Sequence, residues 1–567
     1  MQQRKPTLIN KAFGHYLLAS VLTVAATQIA NIVDATIVGN MVGPEGLAAV
    51  NLSKPLLQAF FAVTCLYVAS STMLAGMAIG KGNKEQADKF FSFSMAFSLF
   101  LGLIFTISGL VWFDSLSHAM CQSETLRPLS DSFMRITLCS APLQMIMQCI
   151  HQFVTMDGAP KMVSRAVIVG NIFNIILDIV FIKYCSLGIS GAAMATCVMY
   201  VVCILMVLPH FRKKHSVRLS SFTIREIKIG KVLSIGLPLF FATVLISVQY
   251  MGNNYVAGHY LGDDGLVALA VCMQLFAFSM IILTGTLRTI QPIGSILRGL
   301  DDNRGMQMLM KRGYAFMALS FAIFTAILVL FPEFIGSLLG VSGVNGIRAV
   351  KIAVPIFSLH IIFQGLLCNL LPVFMFYDRK GLALLLSIAQ SLLPMVFFLL
   401  LRGKWIGFFV GQLVTGIAIL VWEEILRSKD RNLNMFFLIP LKDDAKVMDI
   451  TVLANTRSLS ESITNLRAFL LANEKDTHTI NVAAVSTEEF ILNIIRHGHA
   501  TSIDLAVSVK SDTISISIHD DGTAFDPVTD VQTSDKKIGL GLTIAKAFCK
   551  DISYKYLFNQ NMVTLKI

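Results

Sequence analysis

The sequence predicts a mainly α-helical polytopic membrane protein, twelve transmembrane helices in two six-helix lobes, followed by a cytoplasmic α/β-sandwich domain. Three observations carry this. Apolar runs of about 20 residues recur from Phe13 to Arg427, each long enough to cross a bilayer. A glycine-marked pattern returns at a constant offset. After Arg427 no run is long enough to span, and charges become frequent. The composition agrees: 55% of the 567 residues are hydrophobic and 14% charged, where a soluble protein has about 25% charged.

The expected spans are 13–38, 47–79, 90–113, 132–155, 163–184, 188–209, 231–258, 266–297, 314–332, 348–376, 381–401 and 405–427. The first is too long for a cleaved signal peptide, contains Asp34 and is followed by further spans. The ten cysteines are scattered, mostly within spans and without a CxxC pair. They read as small apolar fillers, neither a metal site nor a disulfide framework.

Basic residues alternate from loop to loop. One side holds Arg4, Lys5, Lys11, Lys81, Lys84, Lys89, Lys161, Arg165, the Arg212–Lys228 cluster, Arg298, Arg304, Lys311, Arg312, Arg379 and Lys380. The other holds Arg127, Arg135, Lys183, Arg348, Lys351, Arg402 and Lys404. The positive-inside rule places the richer side, and both termini, in the cytoplasm, as for an inner-membrane protein. The net charge of +11 therefore reports topology and no nucleic-acid partner.

Gly43-Pro-Glu-Gly-Leu-Ala-Ala-Val50 matches Gly262-Asp-Asp-Gly-Leu-Val-Ala-Leu269. In the same register Gly39 falls on Gly258 and Gly80 on Gly299. Six spans per unit is even, so the halves run parallel about an axis along the membrane normal, with substrate expected between them. The domains expected are 1–211 (first lobe), 212–230 (linker), 231–427 (second lobe), 428–445 (linker) and 446–567 (soluble domain).

Asn174 and Asp178 lie four apart on one face of the fifth span. A carboxylate there costs about 2.5–3.5 kcal/mol on insertion scales, so it is expected in a protein interior or wet cavity, with a function. Asp34 falls on Asn253 of the second lobe, and no Asp or Glu lies deep in a span of that lobe.

Residues 11–427 resemble the multidrug and toxic compound extrusion (MATE) family. The likeness rests on Asn31-Ile-Val-Asp34-Ala-Thr36, Gly43-Pro-Glu-Gly46-Leu-Ala-Ala, Asn174-Ile-Ile-Leu-Asp178, Gly191-Ala-Ala-Met-Ala-Thr196 and Gly236-Leu-Pro238. It implies export of amphipathic, often cationic, small molecules by antiport against protons (H⁺) or sodium (Na⁺). In the branch coupled through its first lobe, Asp34, Asn174, Asp178 and Thr196 match the ion-handling positions. The acids another branch carries in its seventh and tenth spans are missing; Gln249, Asn253 and Gln364 stand in the second lobe instead. The chemistry agrees. An exchangeable ion and a substrate give antiport when they favour opposite-facing states.

The tail reads as a strand opening at Asp449, helices at 458–471 and 482–497, strands at 502–509 and 513–519, Asp520-Asp-Gly522, then Lys536-Lys-Ile-Gly539-Leu-Gly541-Leu542 leading into a helix, and a last strand at 562–567. This order resembles the GHKL (Bergerat, HATPase) ATP-binding fold, particularly the anti-sigma-factor serine kinases. The resemblance implies ATP, with Mg²⁺ on Asn493, Glu489 as general base, Asp520 accepting from the adenine amino group, and Gly522 admitting the base. Gly539, Gly541 and Leu542 lead into a helix whose amino end favours phosphate, with Lys536 and Lys537 in the lid. It also implies a phosphoacceptor protein partner. His497 and His499 are read as loop or helix-end residues. Gly76–Lys81 is a residue short of a P-loop and lacks the following Ser or Thr, so an ATP-driven pump has no motor here.

Two readings follow. One is an ion-coupled exporter with a cytoplasmic ATP-binding regulatory domain. The other is a membrane-tethered serine kinase switch that uses the transporter half as a ligand sensor. The tail either phosphorylates a partner or only binds ATP.

Overall fold

The computed structural model describes residues 4–121, 123–212, 216–222, 224–339, 341, 343–434, 437–440, 446–510, 513–526 and 547–567. Two units emerge: 16–301 with 310–438, and 439–567 together with 1–15 and 302–309.

The larger unit is helical. Its apolar helices are Thr7–Met41, Glu45–Gly80, Lys84–Val111, Arg127–Met156, Pro160–Tyr184, Ile189–Arg212, Ile229–Gly299, Asn303–Leu330, Val344–Phe376, Lys380–Leu400 and Ile406–Lys429. Helices 1 and 8 in this order have their first residues in the second unit. Eleven helices supply twelve crossings because Ile229–Gly299 holds two. As one straight helix its 71 residues would reach about 106 Å, far more than one bilayer crossing. Gly262 interrupts it with φ 66 and ψ −159, and its repeat equivalent Gly43 has φ 100. Both junctions need a backbone conformation that only glycine adopts freely, which is why these glycines mark the repeat. Here the spans are numbered 1 to 12, with 7 and 8 meeting at Gly262.

The halves cross symmetrically. Span 7 packs closely on span 2, Gly236 lying against the Leu66 carbonyl, and span 1 packs on span 8, Val21 lying against Gly285. Gly236 and Gly285 are the repeat equivalents of Leu17 and Leu66, so the two contacts are images of each other to within one turn, Val21 standing one turn after Leu17. At the ends bearing the basic loops, spans 2 and 8 meet at Gly80 and Gly299. Single π-helical turns interrupt span 2 at Cys65–Ala69 and span 5 at Val180–Tyr184. Such turns recur at functional sites.

The smaller unit contains an antiparallel five-stranded sheet of β1 (Lys446–Val452), β2 (Ile503–Lys510), β3 (Thr513–Asp520), β4 (Asp551–Leu557) and β5 (Gln560–Lys566), in the order β1-β2-β3-β5-β4. Helices Thr456–Leu471 and Thr477–Asn493 are capped by Asn455 and Asp476, whose side chains accept from the Ser458 and Thr479 amides. Their apolar faces share one core with the sheet, built on Leu466, Leu470, Ile491, Leu505, Val507, Ile516 and Ile518. The strand β4 has no counterpart in the sequence reading. It is an edge strand of half-buried residues, joined to β5 through Phe558 and Asn559 at φ 59 and 57, a two-residue hairpin turn.

Residues 4 and 5 belong to this unit. The Arg4 guanidinium donates to Asp504 at 2.9 Å and to Asp302 at 2.6 Å, and lies 3.8 Å from Asp449. Lys11 pairs with Asp521. Although burial would raise the Asp521 carboxyl, Lys11, the Thr501 hydroxyl and the amides of 501 and 502 hold it down at about 2.

Candidate functional sites

In the first lobe, spans 1 and 5 bring Asp34 and Asp178 together as neighbouring carboxyls, although 144 residues separate them. Asp178 is fully buried and accepts from Asn174 Nδ2 at 3.4 Å. Among the described residues, Asp34 Oδ1, Asp178 Oδ2 and the Asn171 amide nitrogen are buried without a hydrogen-bond partner. The π-turn of span 5 begins two residues after Asp178. Gly191 of span 6 abuts Phe181, where an added Cβ would sit 2.9 Å from the Phe181 Cβ. Thr196 donates its hydroxyl to Ala192 O at 3.1 Å, within its own helix, and among the described residues no hydrogen bond joins it to the acids.

Two cations within spans escape a count of loop charges. Lys54 on span 2 faces Asp34 electrostatically. Arg288 lies on span 8. The available signal was a basic residue inside an apolar run, as informative as an acid there.

The second lobe offers amides in place of acids. Asn253 is fully buried, and among the described residues neither of its side-chain polar atoms has a partner. Gln249 borders a small apolar space with Tyr250, Met273, Phe276, Phe357 and His360. Gln364 Oε1 is also buried without a partner.

In the smaller unit a cavity of about 170 Å³ opens between the helix ending at Asn493 and the carboxyl end of β3. Phe490, Asn493, His497, Asp520, Thr523 and Asn561 are among its lining residues. His497 thus borders a site from which the sequence reading had left it out. Glu489 is half-buried, one turn before Asn493, and does not line the cavity among the described residues. Asp520 accepts from the Gly522 amide at 2.8 Å and from Asn561 Nδ2 at 2.9 Å. Burial pushes its carboxyl up, and the two hydrogen bonds oppose that. Gly522 is needed for close approach: a Cβ there would stand 3.0 Å from the Gly498 carbonyl carbon and collide with its oxygen. The Thr523 amide donates to that oxygen at 2.8 Å. A π-turn, Ile494–Gly498, places it there.

Asn561 was missed in the sequence because its role depends on the hairpin that carries it. It ties Asp520 to the following loop, donating to Thr523 O at 3.0 Å and accepting from the Phe525 amide at 3.3 Å and the Tyr554 hydroxyl at 2.8 Å. Lys536, Lys537, Gly539, Gly541 and Leu542 lie outside the described residues.

Comparison with known proteins divides the chain similarly. Residues 19–180 match the MatE family model, and residues 452–567 match the histidine kinase-like ATPase domain. The multidrug export protein MepA of Staphylococcus aureus (strain bovine RF122 / ET3-1) is 22% identical over 325 residues, 56% of this chain and 71% of that protein. The MepA of Staphylococcus haemolyticus is 26% identical over 293 residues, 50% of this chain and 64% of that protein. Among solved structures, an outward-facing multidrug resistance MATE family transporter superposes with TM-score 0.67 at 22% identity, covering 74% of this chain and 96% of its own. A MOP superfamily transporter from Pyrococcus furiosus superposes with TM-score 0.65 at 22% identity, covering 74% and 95%.

Proposed function

We propose that this chain, a MATE-family transporter with a histidine kinase-like ATPase domain fused at its C-terminal end, exports amphipathic small molecules by ion-coupled antiport and is regulated by nucleotide bound to the fused domain. The observation that carries the transport reading is the Asp34–Asp178 pair. A buried carboxyl, Asp178, and a half-buried one, Asp34, side by side and each with a buried oxygen that has no hydrogen-bond partner among the described residues, repel unless a proton or a metal cation joins them. Lys54 offers a competing positive charge from span 2. Uptake of H⁺ or Na⁺ by the pair would favour one facing of the lobes, and substrate the other. Asn174 stabilises Asp178 through its 3.4 Å hydrogen bond, and Thr196 on span 6 would offer the ion a neutral oxygen.

The basic loops favour an inner-membrane protein with both termini cytoplasmic, so the fused domain meets cytoplasmic ATP. There Asn493 would hold Mg²⁺, which binds through few protein oxygens plus the nucleotide phosphates, and Asp520 would accept from the adenine amino group. Gly522 lets the Gly498 carbonyl approach the end of β3 beside that pocket.

Vesicles loaded with a fluorescent cation and given a proton or a sodium gradient, with and without internal ATP, test this reading. Gradient-driven efflux altered by ATP is expected. Efflux that follows neither gradient would overturn the coupling.

A further inference from the structure

We propose that Arg288 on span 8, together with His151 on span 4, binds an oxyanion group of the transported solute, a carboxylate or phosphate on an otherwise apolar or cationic body. This rests on the export reading and narrows its substrate class.

Arg288 stands 11 residues before the end of its helix at Gly299. At 1.5 Å per residue that is about 16 Å, close to the middle of a hydrocarbon core about 30 Å thick. Its face of the helix is fixed by its neighbours. Gly285, one turn before, packs on Val21 of span 1. Gln291, one turn after, donates to Ala69 O of span 2 at 3.1 Å. Arg288 lies between them on the side turned to the first lobe.

The side chain is exposed, yet it lies in electrostatic reach of Cys65 and His151, which are buried residues of the first lobe. An exposed group among buried neighbours of the opposite lobe borders a cleft between the lobes. Among the described residues Arg288 makes no hydrogen bond or ion pair. No carboxylate is among its electrostatic neighbours. Lys54 differs, having Asp34 at hand.

An uncompensated guanidinium at mid-membrane is costly, so it is expected to serve a ligand. Its planar fork of donors suits carboxylate and phosphate, often in bidentate geometry. His151 adds a second polar group: among the described residues its Nε2 is buried without a partner. The fold itself does not need this cation, since the repeat equivalent of Arg288 is Ala69.

The test uses the full-length protein in phosphatidylcholine nanodiscs and fluorescence anisotropy with a carboxy-rhodamine and its methyl ester, which differ in one negative charge. Wild type should prefer the free carboxylate by about tenfold, the value of one charge-assisted hydrogen bond. Arg288→Gln should bring that ratio to about one, and Arg288→Lys should retain part of it. Equal affinity of wild type for both dyes, or a preference surviving in Arg288→Gln, would overturn the site. A second titration in phosphatidylglycerol nanodiscs separates sources of the oxyanion. A preference kept there assigns it to the solute; a preference lost there assigns it to a lipid phosphate and overturns the solute assignment. If neither dye is exported from vesicles while the binding ratios hold, the export reading fails and the anion site stands.

Discussion

Gly80 and Gly299, equivalent positions of the two halves, meet backbone to backbone. A Cβ on Gly80 would stand 2.8 Å from the Gly299 Cα, and one on Gly299 would stand 2.9 Å from the Gly80 Cα. The equivalent pair Gly76 and Ser295 also abut one turn earlier. The pseudo-twofold axis of the repeat therefore passes between spans 2 and 8.

Gly80→Ala and Gly299→Ala should each destabilise the helical unit by about 1–3 kcal/mol, because backbone on the opposite side cannot yield as a side-chain end does. Gly39→Ala is the control, since its Cβ would meet only Leu47 Cδ2 at an ordinary 3.7 Å. Thermal unfolding in detergent measures the difference. Equal melting of all three variants would refute the tight crossing.

Asp34→Asn and Asp178→Asn should each abolish gradient-driven dye efflux while leaving membrane insertion intact. Membrane fractionation monitors insertion, and efflux from energised cells monitors coupling. Normal export by both mutants would sink the assignment of coupling to the first lobe.

Asn493→Ala should abolish Mg²⁺-dependent ATP binding by the full-length protein. Asn561→Ala should weaken it as well, because Asp520 loses the donor that ties it to the 523–525 loop. Deleting one partner of a buried hydrogen bond costs about 1–3 kcal/mol, more when the group left behind is charged. Titration with a fluorescent ATP analogue reads both. Unchanged binding in Asn493→Ala would rule out the magnesium role.

Asp449 supplies a pH dependence. Burial pushes its carboxyl up to about 7, with Arg4 and Arg304 pulling down and Asp302 and Asp504 pushing up. A folded-state value above the ordinary 3.8 means that protonation favours the folded unit. The contribution is complete below about pH 4 and is lost as pH rises through about 7. Hydrogen exchange of β1 and β2 amides in the full-length protein should therefore quicken, after correction for intrinsic rates, over that window. Asp449→Asn should flatten the trend. Arg4→Ala should quicken exchange throughout, as breaking a buried ion pair costs about 3–5 kcal/mol.

The sequence by itself determined the helical membrane architecture, because span length and apolar runs are local properties set by bilayer thickness. It also determined the duplication, through glycines whose positive φ or close approach tolerates no substitute. Asp178 stood out as a candidate through the cost of charge in lipid, and Asn493 and Asp520 as candidates through the order of the motifs that carry the resemblance. Tertiary structure alone decided which of these meet. Asp34 finds Asp178 across 144 residues, and Asn561 secures Asp520 only because β5 pairs with β3. Strand β4 was illegible because a half-exposed edge strand has a weak apolar signal and is fixed by its partner. The side of span 8 that Arg288 occupies was equally hidden, since a helix nearly apolar all round does not reveal which face meets the other lobe.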